Sequence, residues 1–345
     1  MRCLVLAVLF LAAACASAAP QAKPYRPEVW LCTASAEELL KQAEWPTVRR
    51  GITGIKLYVG LLHEPKPGVL EKLVKLVKEN RLQVAVELGC CLDFGPMDET
   101  NGEWSARSET TALDRWYAAG GRVDYLDLDG PVRRLLFPEN RSDGKCFTSM
   151  DAAADQVVRS VQYFRRAHPN MRYWHLTNFP NWGYLGDVSY HARGPKRQDY
   201  GEYDDAHRIV ANKLRAAGIP LAGVTIDNPY DYLIGERPSV NLKPATVVNW
   251  VKRVRAYEDR CRTERLEVNL IVNSERGGNT SDDLFAKETL AMVDTYMKAG
   301  GRPTRWIVQG WYACPKVIVP ETDPTTLTGL VKGVIERVRG GAPRR

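Results

Sequence analysis

A chain of 345 residues, 44% hydrophobic and 26% charged, is neither a disordered polymer nor a membrane-embedded bundle, and it has room for one large domain. Its formal charge of +7 is modest for that length. With no strongly basic helix and no aromatic RNA-binding motif, the sequence gives no reason to expect a nucleic-acid partner.

In chain order, the start reads as an address. Met1-Arg2, the apolar run Leu4 to Ala14 and the small residues Ala16-Ser17-Ala18 have the layout of a signal peptide over residues 1–18. That implies a secreted or periplasmic protein. Lipoprotein anchoring through Cys15 is the weaker alternative, because Ala12 stands where Leu is usual. No later run is long enough for a membrane span. Residues 19–345 then form a single domain. Cys32, Cys90, Cys91, Cys146, Cys261 and Cys314 lack C-x-x-C spacing, which argues against zinc; Cys90 or Cys91 with Cys146, or Cys32 with Cys314, are candidate bridges.

The first strand is Val29 to Thr33, and Ser35-Ala36-Glu37-Glu38 has the form of a capping box opening a helix through Ala43. Ile52 to Val59 is a second strand with Lys56 and Tyr58 on one face. A helix over Pro67 to Asn80 leads to a third strand, Leu82 to Gly89, with Ala85 and Glu87 on one face. A helix from about Glu109 to Ala119 precedes Val123 to Pro131, VDYLDLDGP. There Leu126 and Leu128 share one face, while Tyr125, Asp127 and Asp129 share the other. Carboxylates in a row must open onto water, a cation or a substrate, since burying them unpartnered costs several kcal/mol.

The beat continues. A helix over Asp151 to Ala167 precedes Met171 to Asn178, read with Tyr173, His175 and Thr177 inward. A helix over Asp204 to Ala217 precedes Leu221 to Asp227, read with Thr225 and Asp227 inward. A helix over Ala245 to Arg262 precedes Leu266 to Glu275, read with Asn269, Ile271, Asn273 and Glu275 inward. A helix over Ser281 to Ala299 precedes Arg305 to Trp311, with Ile307, Gln309 and Trp311 in register, and Thr325 to Val338 closes the chain. Eight strand–helix units predict a (β/α)₈ TIM barrel. Helix-to-strand joints are short and glycine-capped, whereas strand-to-helix connections are long at Cys90–Ser108, Pro131–Met150, Phe179–Tyr203 and Asn228–Pro244. Extra chain on the C-terminal face alone is how barrel enzymes build their sites. A doubly wound open sheet is the structural alternative, but no Gly-rich phosphate fingerprint follows the first strand.

Carboxylates late in several strands suggest glycoside hydrolysis, in which one carboxyl group acts as acid and the other as nucleophile or base. Glu275 is the first candidate, paired with Asp227 or Asp129. Lys56, Tyr58, Glu87, Asp127, His175, Asn178, Trp182, Tyr230, Asn273, Gln309 and Trp311 make up the candidate substrate-binding wall. Each has a plainer reading: Asp129 caps a turn, Asp227 starts an Asx turn before Asn228-Pro229, Lys56 and Glu87 neutralise each other, and His175 is a wall residue. Trp104, Phe179, Trp182, Tyr184, Tyr190, Tyr230, Tyr232, Trp311 and Tyr312 would crowd the mouth and offer flat faces to sugar rings. Arg133, Arg134, Arg141, Lys145, Arg193, Lys196 and Arg197 are a solvated surface or, on the sharper reading, recognise an anionic or sulfated polysaccharide.

Asp124-Tyr125-Leu126-Asp127-Leu128-Asp129-Gly130-Pro131 resembles the fourth-strand signature of family 18 glycoside hydrolases, the chitinase-like barrels, D-G-x-D-x-D-x-E. Asp124, Asp127 and Asp129 fall on its acidic positions. The position of the family's catalytic Glu is Pro131, which cannot donate a proton, so that family's mechanism does not carry over. A looser similarity to secreted barrel glycosidases agrees with Glu275, Asp129 and Asp227. The expectation is therefore a secreted glycoside hydrolase acting on a polysaccharide or oligosaccharide, with no cofactor. The rivals are a metal-dependent lyase, isomerase or aldolase barrel using Glu87, Asp127, Asp129, His175 and Asp227, and a carbohydrate-binding barrel without catalysis.

Overall fold

The computed structural model describes residues 25–33, 35–63, 66–138, 141–186, 189, 201–236 and 249–340. The signal-peptide expectation, Cys15, Tyr190, Arg193, Lys196 and Arg197 lie outside them. Eight strands close into one barrel in sequence order: β1 (Glu28–Thr33), β2 (Gly54–Tyr58), β3 (Gln83–Leu88), β4 (Tyr125–Asp129), β5 (Arg172–Asn178), β6 (Gly223–Asp227), β7 (Glu267–Val272) and β8 (Arg305–Gln309). Every neighbouring pair is parallel, and β1 pairs with β8 to complete the ring. The TIM-barrel fold follows from this topology.

Helices return the chain from the top of each strand to the bottom of the next. The long ones are α4 (Val69–Glu79), α5 (Asn101–Ala118), α7 (Met150–Ala167), α8 (Tyr203–Ala216), α10 (Trp250–Thr263), α12 (Asp282–Lys298) and α13 (Leu327–Arg339). Short helices α1 (Ala36–Leu39), α2 (Pro46–Gly51), α3 (Val59–His63), α6 (Pro131–Leu136), α9 (Tyr230–Leu233) and α11 (Glu275–Gly278) fill out connections that the sequence reading treats as loop or merges with neighbours. Side-chain caps start several of the long helices: Ser149 accepts from Ala152 N, Asn249 from Lys252 N, Ser281 from Leu284 N and Thr326 from Gly329 N. Each is worth about 1 kcal/mol. The expected box at Ser35 does not form; that side chain caps nothing and α1 stops at Leu39.

Outward strand residues such as Val84, Val86, Leu126, Leu128, Val268 and Leu270 pack beneath the helices. Inward residues Trp30, Cys32, Ala85, Tyr125, Trp174, Leu176, Ile271 and Ile307 fill the barrel. Near the strand N-termini this filling is aromatic. Tyr125 stacks on Trp174 at 4.0 Å, Trp30 meets Trp174 edge-on at 5.6 Å, and the Arg305 guanidinium lies 5.0 Å over Trp174. That plug fills the floor among the described residues, and the polar side of the interior lies toward the strand C-termini.

One strand runs in the opposite phase to its sequence reading. Trp174 and Leu176 point inward on β5, and Tyr173, His175 and Thr177 therefore point outward. A polar alternation suggested the reverse, but the floor needs a large ring opposite Tyr125, and Trp174 supplies it. The six cysteines among the described residues are free thiols; Cys32 is enclosed in the barrel, and only Cys146 is exposed. Neither candidate bridge forms. No helix among the described residues is long and apolar enough to cross a membrane.

Candidate active site

At the top of the barrel is a cavity of about 450 Å³ lined by Arg133, Asn178, Pro180, Asn181, Asp227, Pro229, Tyr232, Glu275, Trp311 and Tyr312. Its residues come from the ends of β5, β6, β7 and β8 and from α6, the convergence that (β/α)₈ enzymes use. Asp227 is the last residue of β6 and is buried. Glu275 lies beyond β7 as the first residue of α11, behind Ser274, whose hydroxyl accepts from Gly277 N. Three contacts tie the two carboxyl-bearing segments together. Tyr230 N donates to Asn273 O at 3.0 Å, Glu275 N donates to Asp231 Oδ1 at 3.0 Å, and Tyr232 Oη donates to Glu275 Oε2 at 2.8 Å.

The two carboxyl groups differ in setting. Burial pushes Asp227 well above the usual carboxylate range, and the negative charges of Glu87 and Asp129 push the same way. The Lys56 ammonium and the Asn273 amide oppose this without reversing it. Asp227 Oδ1 is buried and makes no well-formed hydrogen bond among the described residues, although the Asn273 amide is nearby. Asp227 is thus in a setting that favours its protonated form relative to an exposed carboxyl group, whereas Glu275 is oriented as an acceptor by a phenol.

Below the cavity lies a second polar layer. Lys56 Nζ is fully buried, 2.5 Å from Glu87 Oε2 and 2.6 Å from Asp127 Oδ2. Gln309 Nε2 donates to Glu87 Oε2 at 3.1 Å. Burial would lower the Lys56 pKa, but Asp127 and Glu87 outweigh it, and the net shift is upward. One ammonium serves two carboxyl groups, so burial still raises both Glu87 and Asp127. Tyr58 also belongs to this layer: burial raises its pKa, and Cys32, Glu87 and Gln309 are its neighbours. The plain reading of Lys56 and Glu87 as mutual neutralisation therefore describes their contact, with Asp127 added.

Asp129, the other proposed partner of Glu275, sits at the end of β4 in an ion pair with the Arg134 guanidinium. Arg134 Nε also donates to the Asp129 carbonyl at 2.9 Å. Asn178 Nδ2 stands 3.5 Å from Asp129 Oδ1 and itself lines the cavity. Asp124, the first acidic position of the Asp124–Pro131 motif, is at the opposite end of the barrel, accepting from Val84 N and pairing with Arg122.

The structure brings Asp227, Glu275, Asn178 and Trp311 to one cavity, with Asn273 beside it and Lys56, Tyr58, Glu87, Asp127 and Gln309 directly beneath. It places three expected wall residues elsewhere. His175 faces outward, 3.4 Å from Tyr203 Oη, and burial pushes it down to about 3, with His207 adding to the shift. Trp182 is packed against Tyr203 at 5.5 Å in the outer layer. Tyr230 turns away toward α12, where Thr295, Glu288 and Arg276 surround its phenol. Its neighbour two residues on, Tyr232, takes the place at the mouth. Phe179 and Tyr184 likewise pack on Tyr257.

Sequence reasoning missed Tyr232 as the partner of Glu275, Asp231 as the backbone anchor, and Glu109. Glu109 is a buried side chain of α5 that accepts from Gly89 N at 2.8 Å and Cys90 N at 3.0 Å, holding the top of β3. The run Asn228-Pro229-Tyr230-Asp231-Tyr232 after an inward Asp carried the signal for the first two. The metal-ligand set of the rival reading is dispersed, since Glu87 and Asp127 are engaged by Lys56, Asp129 by Arg134, and His175 lies on the other side of the sheet.

No family model and no curated protein matches this sequence. In solved structures the chain is similar to an intracellular xylanase from Thermoanaerobacterium saccharolyticum, at 12% identity over 84% of this chain and 89% of that one, with a TM-score of 0.49. It is similar to 3-keto-D-glucoside 4-epimerase from E. coli, at 11% identity over 89% and 99% of the two chains, TM-score 0.47. Orotidine 5'-phosphate decarboxylase from Pyrococcus horikoshii is a third, at 14% identity over 90% and 99%, TM-score 0.41. Enzymes of unrelated chemistries share this architecture, so the likeness concerns the fold alone.

Proposed function

We propose that the chain is a glycoside hydrolase in which Asp227 donates the proton to the leaving oxygen and Glu275 acts as nucleophile or base. The observation that carries this reading is the pairing of a buried carboxyl group, Asp227, and a carboxyl group held by a phenol, Glu275, on the walls of one cavity. Glycosidic cleavage needs two carboxyl groups whose environments push their proton affinities apart. Asp227 is raised by burial above the Lys56 layer, while Tyr232 Oη fixes the Glu275 oxygen. Trp311, 38% exposed at the rim, offers a flat apolar face, and Asn178 and Asn181 offer amides to sugar hydroxyls. Asp129 is a weaker partner than Asp227 because Arg134 already neutralises it. A polysaccharide or oligosaccharide substrate and an exported location accompany this proposal.

Release of reducing ends from a panel of neutral and acidic polysaccharides tests it. Glu275→Gln should lower turnover about 10³-fold and Asp227→Asn about 10²-fold, each with an unchanged unfolding transition. Rescue of Asp227→Asn on substrates with an activated leaving group would assign the proton donor, since such groups leave without protonation. Parent-like turnover in Glu275→Gln would refute the assignment.

A further inference from the structure

Among the described residues, three open grooves lie on the N-terminal face of the barrel, and each is lined by an excess of basic over acidic side chains. One, of about 450 Å³ between the C-terminal ends of α4 and α5, is lined by Lys78, Arg81 and Arg122 with Asp124. A second, of about 490 Å³ below β5 and β6, is lined by Arg165, Arg172 and Arg265 with Glu267. A third, of about 410 Å³ below β1 and β8, has Arg26, Arg262 and Arg302 and no acidic residue in its lining. The helix macrodipole explains only part of this. Lys78, Arg165 and Arg262 lie in last helical turns, where cations are expected. Arg81 and Arg265 directly follow the C-caps of α4 and α10, where the dipole also favours a cation, whereas Arg26, Arg122, Arg172 and Arg302 stand in joints or at strand starts beyond the last helical turns.

One feature singles out an arginine in each groove, and a second marks two of the three. Arg26, Arg81 and Arg265 are exposed, and among the described residues their side chains make no ion pair or hydrogen bond. Arg81 and Arg265 moreover occupy left-handed backbone, at φ +53° and +61°. The equivalent joints after α5, α8 and α12 carry Gly120, Gly218 and Gly300 at φ +84°, +72° and +83°. A side chain at such a site is disfavoured relative to glycine. At Arg81 and Arg265 the chain keeps an arginine where its own pattern, and backbone energetics, favour glycine.

We propose that this face is a second binding surface for a polyanionic sugar chain, sulfated or uronate-bearing, whose charged groups seat in the three grooves. Arginine forks pair bidentately with sulfate and carboxylate. A lipid surface fits less well. Among the described residues, the exposed large apolar side chains Phe94, Trp104, Phe137, Leu185, Trp311 and Val317 lie toward the barrel mouth and Tyr25 alone lies on the basic face, so the described part of that face offers no apolar wedge to a bilayer. The same scarcity leaves nucleobases no row of stacking platforms. The choice of a sugar polymer rests on the glycosidase reading of the mouth; the charge pattern does not.

The test is fluorescence anisotropy of labelled dextran sulfate with the parent chain, Glu275→Gln, and the combined variant Arg26→Gln, Arg81→Gly, Arg265→Gly. The parent should bind, and added salt should weaken binding. The combined variant should bind at least about tenfold more weakly, while its Tm stays equal or rises because two left-handed sites regain glycine. Glu275→Gln should bind like the parent, because binding is read without turnover, so loss of the hydrolase assignment leaves the result standing; the combined arginine variant, which leaves the mouth untouched, is what locates binding on this face. Affinity of the combined variant within about twofold of the parent would overturn the proposal. Displacement of the label by neutral dextran, phosphatidylserine vesicles or an oligodeoxynucleotide at lower mass concentration than by unlabelled dextran sulfate would overturn it equally.

Discussion

The two ends of this barrel treat buried charge in opposite ways. On the floor, buried Arg305 places Nε 2.9 Å from Glu28 Oε2 and Nη1 2.9 Å from Glu267 Oε2, and its plane lies over Trp30, Tyr125 and Trp174. Cation, anions and rings are matched there, and the partner carboxylates remain partly in water. Toward the mouth, Glu87, Glu109, Asp127 and Asp227 are all buried and all pushed upward. Strand and helix serve both ends equally, so the difference lies in side-chain chemistry. The floor is built to be stable, whereas the mouth retains carboxyl groups that burial makes costly to ionise.

The sharpest way to break this contrast is to remove the cation from the mouth. Lys56→Met leaves Glu87 and Asp127 facing each other in the interior, and should cost about 3–5 kcal/mol of stability at neutral pH. Urea unfolding measures it. The cost should shrink in acid, because the two carboxyl groups can then protonate, giving a pH-dependent difference between variant and parent. A loss below about 1 kcal/mol at neutral pH would mean that the layer beneath the cavity is held mainly by packing.

The contrast also explains what was legible in the sequence. All eight strands could be read from alternation; all but β5 have an apolar outward face, and on β2, β3, β4, β6, β7 and β8 the inward set was recognisable from it. On β5 it was not. Tyr173, His175 and Thr177 alternate with Trp174 and Leu176, and polarity alone assigns the wrong set to the interior when the floor itself is made of rings. Glu275 was visible as the end of a polar phase, but its partner Tyr232 was not, since the exchange of roles between Tyr230 and Tyr232 depends on the turn of α9. Glu109 gave no signal at all: on a helix of mixed composition, a carboxylate that reaches two backbone N–H groups at the end of β3 looks like any surface residue.

Glu109 offers the next test, smaller and specific to pH. Burial pushes its carboxyl group from the ordinary value up to about 7, against the lowering pull of the Gly89 and Cys90 N–H groups and Arg134. The folded state therefore holds this proton more tightly than the unfolded chain does. Its stabilising contribution is fully present below the unfolded value and is lost as pH rises through about 7. A shift of this size corresponds to about 3 kcal/mol. Glu109→Gln cannot ionise, so its stability relative to the parent should rise by that order between pH 4.5 and 8. Parallel stability–pH curves for the two proteins would show that Glu109 titrates alike in folded and unfolded chains.

The smallest expected effect is at the rim, where Trp311 is exposed and meets Tyr312 edge-on at 5.6 Å. A ring with so much of its surface in water adds little to folding, so Trp311→Ala should leave Tm within a few degrees of the parent. If the ring is instead a platform for a sugar, its loss should remove about 1 kcal/mol of substrate binding, raising KM about fivefold while kcat holds. The Lys56 layer predicts the reverse pattern, a large loss of stability from a residue that touches no ligand. A Trp311→Ala variant with falling Tm and unchanged KM would make the rim part of the scaffold, and would leave the mouth's specificity to its amides and carboxyl groups.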